Sequence, residues 1–288
     1  MVELLPDVRD SVPAPRLRRL DVNDRAELLA LCAGDPLVHC FPASRADIAL
    51  DSHAGSYFLG WYEGARLASA IYVGANIAPI ATTRISRLAF AERLLGASRR
   101  AASLVGRAEE VVDLWSLLEP TWGVAREVRH EQALMVCTEV GPSVASAQVA
   151  VTTHEQFELV MPACIAMFTE ELGVSPLANG MHAPYHARVR ELIEQGRSYS
   201  LIERGDVIFK AEVGAAALGV AQLQGVWVAP DYRGKGHGVA GVAAVTRALL
   251  QDGYQAVTLY ANEFNARALR VYEQVGFRKH DTFATVLR

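Results

Sequence analysis

The chain has 288 residues, of which 51% are hydrophobic and 21% charged, and its formal net charge is -4 at pH 7. This length suits one large domain or two of ordinary size, and the composition is that of a globular protein rather than a disordered one. The slightly acidic balance argues against broad nucleic-acid binding, which needs a basic face. We therefore expect no nucleic-acid partner.

The sequence also carries no sign of secretion, membrane insertion or metal binding. Residues 1–10 contain no apolar stretch flanked by basic residues, and no apolar run approaches the roughly 18–20 residues of a membrane span. The four cysteines form no Cys-x-x-Cys pair, and His39-Cys40 and the His182/His186 pair lack further ligands at metal-site spacing. These features predict a reduced, cytoplasmic protein with no membrane partner and no metal.

In chain order, the first half predicts a short strand over residues 16–20 and a helix over residues 21–32, with Asp21 or Asn23 as its N-cap. A hairpin turn follows at residues 63–65. The strands and helices expected around and after that turn cover residues 57–62, 66–73, 85–97, 102–105, 108–118 and 126–136. This alternation predicts an α+β or α/β domain, which we assign to residues 1–140.

Residues 141–147 (GPSVASA) are small and polar and predict an interdomain linker. The second domain is assigned to residues 148–288. Its expected strands cover residues 148–151, 198–203, 207–213, 220–228, 256–261 and 283–287, and its expected helices cover residues 154–172, 184–195, 238–251 and 266–275. Both halves therefore have a similar order of elements, which suggests a tandem duplication.

Residues 225–238 (GVWVAPDYRGKGHG) predict an apolar strand, a turn at Pro230 and Asp231, a glycine-rich basic loop and the start of a helix. Glycines at every second position let the backbone approach a ligand closely, and the helix N-terminus adds partial positive charge. The basic side chains of the loop add more charge: Arg233, Lys235 and His237. The stretch therefore predicts a site for a diphosphate.

With a second motif further along the chain, this stretch resembles the GCN5-related N-acetyltransferase (GNAT) superfamily. The acyl-CoA loop of that family, Arg/Gln-x-x-Gly-x-Gly/Ala, is matched by Arg233, Gly236 and Gly238. The second signature, Asn-x-x-Ala-x-x-x-Tyr followed by Gly-Phe, is matched by Asn265, Ala268, Tyr272, Gly276 and Phe277. The resemblance implies a C-terminal GNAT fold of the α+β class with a mixed sheet.

The first half looks like the domain of DUF4081 type that precedes such acetyltransferases in some actinobacterial proteins. Residues 41–45 (FPASR) and 72–76 (YVGAN) carry this likeness. After the hairpin, however, residues 82–87 (TTRISR) contain no glycine loop. We therefore expect a degenerate GNAT-like domain that has lost the CoA cradle. Its expected role is either to shape the acceptor site or to support the structure.

The resemblance implies acetyl-CoA as the cofactor. The residues implied to hold it are Val226, Trp227, Val228, Arg233, Gly234, Lys235, Gly236, His237, Gly238 and Asn265. A backbone N–H near Val228 would polarise the acetyl carbonyl. Tyr272 would be the general acid, since a phenol is protonated at neutral pH. The alternative for Tyr272 is a core tyrosine on an amphipathic helix, and Asn265 is expected to cap that helix.

The general base is harder to assign. Many relatives place a glutamate on the strand before the loop, where this chain has Gln222 and Gln224, and amides cannot accept the proton. By strand alternation we expect both to share a face with Val226 and Val228. A water relay past Gln222 is one alternative.

Glu212, on the preceding strand, is the first substitute as base and is assigned as catalytic. Glu170 or Glu171 comes next. Lys210 shares a face with Glu212, so a structural ion pair is an equal alternative for these two residues. Residues 181–186 (MHAPYH) are expected to form a loop, either an ordinary surface loop or one that lines an acceptor pocket.

Three functions remain open at this point. The first is an acetyl-CoA-dependent N-acetyltransferase that transfers the acetyl group directly to an amine of a small molecule or peptide. The second is a non-catalytic, CoA-binding regulatory protein. The third is a tandem transferase whose first half grips a larger acceptor. The sequence also leaves a homodimer open.

Overall fold

The computed structural model describes residues 16–51, 55–96, 101–178 and 182–288, and these form a twelve-stranded mixed sheet covered by helices. The strands are β1 Arg16–Arg19, β2 Tyr57–Glu63, β3 Arg66–Val73, β4 Asn76–Ile80, β5 Ser103–Arg107, β6 Glu127–Cys137, β7 Ala150–Val151, β8 Ser198–Glu203, β9 Asp206–Ala217, β10 Val220–Val228, β11 Ala256–Asn262 and β12 Arg278–Leu287. The α-helices are α1 Arg25–Cys32, α2 Pro36–Ala43, α3 Ala46–Ala49, α4 Arg84–Leu95, α5 Ala108–Trp122, α6 Phe157–Leu172, α7 His182–Glu194, α8 His237–Gln251 and α9 Ala266–Val275.

The strand order is β1-β2-β3-β4-β5-β12-β6-β11-β10-β9-β8-β7. Neighbouring strands are antiparallel except for β4–β5 and β10–β11, which are parallel. A parallel pair needs a crossover connection, and α4 and α8 provide it. The same β-α-β device therefore occurs once in each half of the chain, as the similar element order predicts.

The last strand of each half lies next to a strand of the other half. β12 pairs with β5 from Phe283↔Arg107 to Leu287↔Ser103. β6 pairs with β11 from Val257↔Cys137 to Asn262↔Gln132. Since β12 and β6 also pair with each other, the hydrogen-bonded sheet runs without a break through both halves.

The core lies on both faces of this sheet. In the first half, α4 and α5 pack around Phe90, Leu104 and Leu114, while α1 to α3 cover the strand residues Phe58 and Ile80 on the opposite face. In the second half, α8 and α9 cover a core on one face of the sheet, which includes Phe209, Val242, Leu259 and Val275. Helices α6 and α7 cover another core, which includes Val160, Cys164 and Val189.

The predicted elements mostly occur, with several differences. No sequence pattern predicted α2, α3 or β4, and β12 begins five residues before the expected strand. The prediction of a loop before residue 186 is wrong for the described part, because His182–Glu194 is helical, with Pro184 in the first turn. Met181 lies outside the described residues. Residues 141–147 contain no helix or strand, and the Arg247 guanidinium holds them on α8 by donating to the carbonyls of Gly141 (2.9 Å) and Val144 (2.7 Å).

Candidate active site

The glycine-rich loop has the backbone geometry of an anion cradle. Gly234 and Gly236 have φ angles of 78° and 86°, and a Cβ added at either would find no heavy atom within 4 Å. Helix α8 begins at His237 without a side-chain cap, so its first N–H groups have no intrahelical partner. The open space, the free N–H groups and the positive end of the helix suit a diphosphate.

The corresponding helix start in the first half is already filled by the protein. The Thr83 side chain caps α4 by accepting from the Ser86 N–H at 3.2 Å. The Glu110 carboxylate accepts from the Thr82 N–H at 2.7 Å. A carboxylate therefore stands where the second half leaves room for an anion, which explains physically why the first half has no CoA cradle.

Strands β10 and β11 separate next to the loop. They pair only from Val220↔Ala256 to Gln222↔Thr258. Beyond this point β10 bulges at Gly225, whose φ is 56°, and its register with β9 shifts. The parallel pair thus opens into a gap that leads towards the cradle.

The bulge changes which way the β10 residues face. Val226 and Val228 pack against the core under α8, whereas Gln222 and Gln224 line a cavity on the opposite face. The expectation that all four share a face is therefore wrong, because it assumed an unbroken strand. The Ala229 N–H donates to Ile208 on β9 at 2.9 Å, so by alternation the Val228 N–H points away from β9, into the gap.

The two sequence motifs meet at this gap. A Cβ at Gly238 would lie 3.6 Å from the Val271 side chain and 3.7 Å from that of Val228. The first turn of α8, the end of β10 and helix α9 therefore converge. Asn265 caps α9, as expected, by accepting from the Ala268 N–H at 3.2 Å.

Tyr272 follows Val271 on α9 and is 8% exposed. Its ring packs against Phe277 with a centroid distance of 6.0 Å, and its hydroxyl has no hydrogen-bond partner among the residues that the structure describes. Burial, followed by the negative charge of Glu171, raises the pKa of Tyr272 above its ordinary value. The phenol therefore carries an uncommitted proton at neutral pH.

Glu212 forms a buried ion pair with Lys210, as the structural alternative from the sequence predicts, and its role as a base stays a prediction. Lys210 Nζ lies 2.7 Å from Glu212 Oε1, and the side chains are 1% and 7% exposed. Lys210 Nζ also donates to the Gly225 carbonyl at 3.2 Å, and Gln224 Nε2 donates to Glu212 Oε2 at 3.3 Å. Burial opposes the charge of Lys210, but its carboxylate partner prevails and the pKa is raised. The pair therefore holds the β10 bulge.

The other two glutamates considered as bases lie at the end of α6. The Glu170 carboxylate accepts from Arg233 Nη2 at 2.7 and 3.0 Å and from Trp227 Nε1 at 3.1 Å, which joins α6 to the loop. Glu171 is an exposed residue, and partial desolvation by the neighbouring protein atoms raises the pKa of its carboxyl group. Its negative charge contributes to the raised pKa of Tyr272 and of Lys210.

A cavity of about 440 Å³ lies between α2 and α7, over the sheet face that carries Gln222 and Gln224. Both halves line it, Arg45 from the first and Arg188 and Glu191 from the second. Residues 41–45 and 72–76, which carried the likeness to the N-terminal domain type, contribute to its wall. No sequence signal pointed to this cavity, because it depends on how α2 and α7 meet across the sheet. His182 and His186 do not line it; they stack on each other at 4.0 Å.

No helix among the described residues has the length and hydropathy required to cross a membrane. In the same residues, no three His, Cys, Asp or Glu side chains gather as metal ligands would.

The fold and the site have counterparts among known proteins. A profile described as "Acetyltransferase (GNAT) family" matches residues 186–277, and one described as "Domain of unknown function (DUF4081)" matches residues 56–160. No curated protein matches the chain.

Solved structures share the fold at low identity. A GNAT-family acetyltransferase from Colwellia psychrerythraea is 10% identical, with 94% of this chain and 99% of that chain covered and a TM-score of 0.56. A tandem GNAT protein from the clavulanic acid biosynthesis pathway is 14% identical (95% and 98% covered, TM-score 0.57). A GCN5-related N-acetyltransferase from Sphaerobacter thermophilus is 16% identical (96% and 97% covered, TM-score 0.57).

Together these observations define a protein with the GNAT acetyltransferase fold. Its C-terminal part is a GNAT-family domain, and a DUF4081 domain precedes it.

Proposed function

We propose that the protein is an acetyl-CoA-dependent N-acetyltransferase that transfers the acetyl group directly to an amine. The observation that carries this proposal is the convergence of Gly238, Val228 and Val271. It brings the cradle, the open end of β10 and the helix that bears Tyr272 to one gap. The GNAT domain supports acyl transfer as the reaction class.

The chain offers a binding group for each part of the cofactor. Backbone N–H groups from Arg233 to Gly238, with the α8 N-terminus, would hold the diphosphate. Lys235 would add charge beside it, and His237 and Asn265 are proposed as further contacts. The backbone of Val226 to Val228 would pair with the pantetheine arm as an added strand, with Trp227 packed beneath it against α6. Acetyl-CoA supplies the activated acyl thioester.

The protein's own groups can then serve the transfer. The Val228 N–H points into the gap and can polarise the acetyl carbonyl. The acceptor nitrogen bonds to the acetyl carbon as the carbon–sulfur bond breaks, and Tyr272 can give its proton to the departing sulfur. One proton leaves the acceptor nitrogen for a base.

Glu212 is proposed as that base, and Glu171 is its competitor. Both Glu212 oxygens accept hydrogen bonds from Lys210 and Gln224, which reduces their availability for a further proton. Among the described residues the Glu171 carboxylate accepts no hydrogen bond and forms no ion pair, and desolvation raises its pKa. We compare Glu212→Gln with Glu171→Gln by the pH profile of kcat. The variant that removes the acidic limb of the profile identifies the base.

The function is tested by titrating acetyl-CoA in a calorimeter and then following CoA release against amines, peptides and amino sugars. In Tyr272→Phe we expect kcat to fall about 100-fold or more, with Kd for acetyl-CoA within about twofold of the unchanged protein. Tyr199→Phe is the matched control, since Tyr199 is a buried tyrosine of the same core. Unchanged turnover in Tyr272→Phe would remove the general-acid role.

Binding without turnover on any acceptor would favour the alternative of a non-catalytic, CoA-binding regulatory protein. We propose that catalysis belongs to residues 148–288 and acceptor shaping to residues 1–140. The cytoplasmic location and the homodimer stay predictions from the sequence.

A further inference from the structure

The cavity between α2 and α7 contains a buried amide without a partner. Gln222 is 7% exposed, and its Nε2 makes no hydrogen bond within the described part of the chain. Gln222 lines the cavity. A buried N–H that lacks an acceptor is costly, and native structures seldom retain one without a reason. An oxygen of a bound molecule would satisfy it.

Arg45 brings a positive charge to the same cavity. Its Nη2 donates to the Gly214 carbonyl at 3.2 Å, and its guanidinium lies 5.3 Å from the centroid of the Phe41 ring. No carboxylate among the described residues forms an ion pair with it. Burial, and then the charge of Arg188, lowers the pKa of Arg45. An arginine still stays charged at neutral pH, so an anion beside it would be stabilised.

The Arg45 guanidinium contacts the sheet one residue away from the position that pairs with Gln222. Gly214, which Arg45 contacts, immediately precedes Ala215, and Ala215 pairs with Gln222 in the sheet. The other arginine of the wall, Arg188, is already paired with Glu191 at 2.8 Å. Among the described residues, the cavity wall therefore has a guanidinium that forms no direct ion pair and an amide N–H that has no acceptor, and Glu191 acts on Arg45 only at longer range.

A polar path connects this end of the cavity with the transfer site. A Cβ at Gly214 would lie 2.2 Å from Gln224 Oε1, so the missing side chain makes room for the Gln224 amide. Gln224 in turn donates to Glu212. At about 3.3 Å per residue, Gly225 at the bulge lies about 10 Å along β10 from Gln222.

On these grounds, and resting on the proposed function, we infer that the acceptor is a small amine with an anionic oxygen group at its far end, held by Arg45 and Gln222. Both donors suit a carboxylate or a phosphate. The volume of about 440 Å³ is that of a small-molecule site, for which roughly 300–1,000 Å³ is usual. The separation along β10 favours an acceptor whose amine and anion lie several bonds apart.

The test compares three acceptors of equal length from the nitrogen to the terminal oxygen: 6-aminohexanoate, 4-aminobutyl phosphate and 6-aminohexan-1-ol. We expect kcat/KM for the better of the two anionic compounds to exceed that of the alcohol about 10- to 100-fold, and the better anion identifies the source of the charge. In Arg45→Met the preference for the anionic compounds over the alcohol should fall to less than about threefold, through a rise in KM for the anionic compounds. Arg190→Met is the control, since Arg190 is an exposed arginine of α7 outside the cavity wall.

A second readout does not depend on turnover. In the presence of CoA, calorimetric titration should give a Kd for one of the anionic compounds at least about tenfold lower than the Kd for the alcohol. Either Arg45→Met or Gln222→Leu should weaken the binding of that anionic compound. Equal binding of all three compounds, or equal loss in Arg45→Met and Arg190→Met, overturns the inference. Failure to bind acetyl-CoA at all would instead overturn the proposed function.

Discussion

Replacing Lys210 by Met should destabilise the protein strongly. The side chain is 1% exposed, and its ammonium faces the buried Glu212 carboxylate and the Gly225 carbonyl. Met has a similar length but no charge, so the substitution leaves Glu212 as an uncompensated buried anion. Removing one partner of a buried ion pair typically costs about 3–5 kcal/mol of unfolding free energy.

For a chain of this size, about 2 °C of Tm corresponds to 1 kcal/mol, so we expect a decrease of about 6–10 °C. Tm is measured by scanning calorimetry and the free energy of unfolding by urea titration. Lys279→Met is the matched control. It removes an ion pair with Glu263 at 2.5 Å whose side chains are 50% and 38% exposed, and such a pair contributes about 0–1 kcal/mol.

The double variant Lys210→Met/Glu212→Gln separates charge from shape. Because it removes both charges, it should be more stable than Lys210→Met alone, with a coupling energy of about 1–3 kcal/mol. The reasoning is refuted if Lys210→Met costs no more than Lys279→Met, or if the double variant loses the sum of the two single losses.

Three further changes are expected to have distinct results. Gly236→Asp puts a carboxylate into the open side of the cradle, so calorimetry should show acetyl-CoA binding at least about 100-fold weaker, and unchanged Kd would contradict the cradle. Glu170→Gln removes the exposed carboxylate that pairs with Arg233, and this frees the guanidinium charge beside the loop. Acetyl-CoA should therefore bind about two- to fivefold more tightly, with Tm almost unchanged. Weaker binding would show instead that the ion pair organises the loop. The hydrogen bond from Arg18 lowers the pKa of Asp24, so the Asp24 carboxylate stabilises the fold above about pH 4 and loses this effect as the pH falls. The decrease in Tm caused by Asp24→Asn should therefore be smaller at pH 3 than at pH 6. An equal decrease at both pH values would refute this linkage.

Much of the second half could be predicted from the sequence because its signals are local. The loop glycines, the Asn265 cap and the spacing to Tyr272 each depend on residues within a few positions of one another. Residues 266–275 form the helix that the pattern predicts. The sequence predicted the ion pair of Lys210 and Glu212 as an alternative, because residues two positions apart on a strand lie on the same face.

The features that the sequence did not predict depend on distant contacts. The bulge at Gly225 inverts the expected facing of β10, and Lys210 on the neighbouring strand donates a hydrogen bond to the Gly225 carbonyl. Gln222 shares the cavity wall with Arg45, which lies 177 positions earlier in the chain, and no local pattern connects the two residues. Strand β12 was expected at the end of the second half, but its neighbours β5 and β6 both come from the first.

The exchange of strands bears on what the first half contributes. β6 lies between β12 and β11, so the second half taken alone would leave an open edge on both of these strands. The first half therefore supplies a structural strand to the sheet that carries the cradle. It also supplies Arg45, while its own helix start at α4 is filled by Thr83 and Glu110. Under the proposed function, a domain without a cofactor cradle would still serve acetyl transfer, because one of its strands completes the sheet that carries the cradle and one of its helices brings charge to the cavity between α2 and α7.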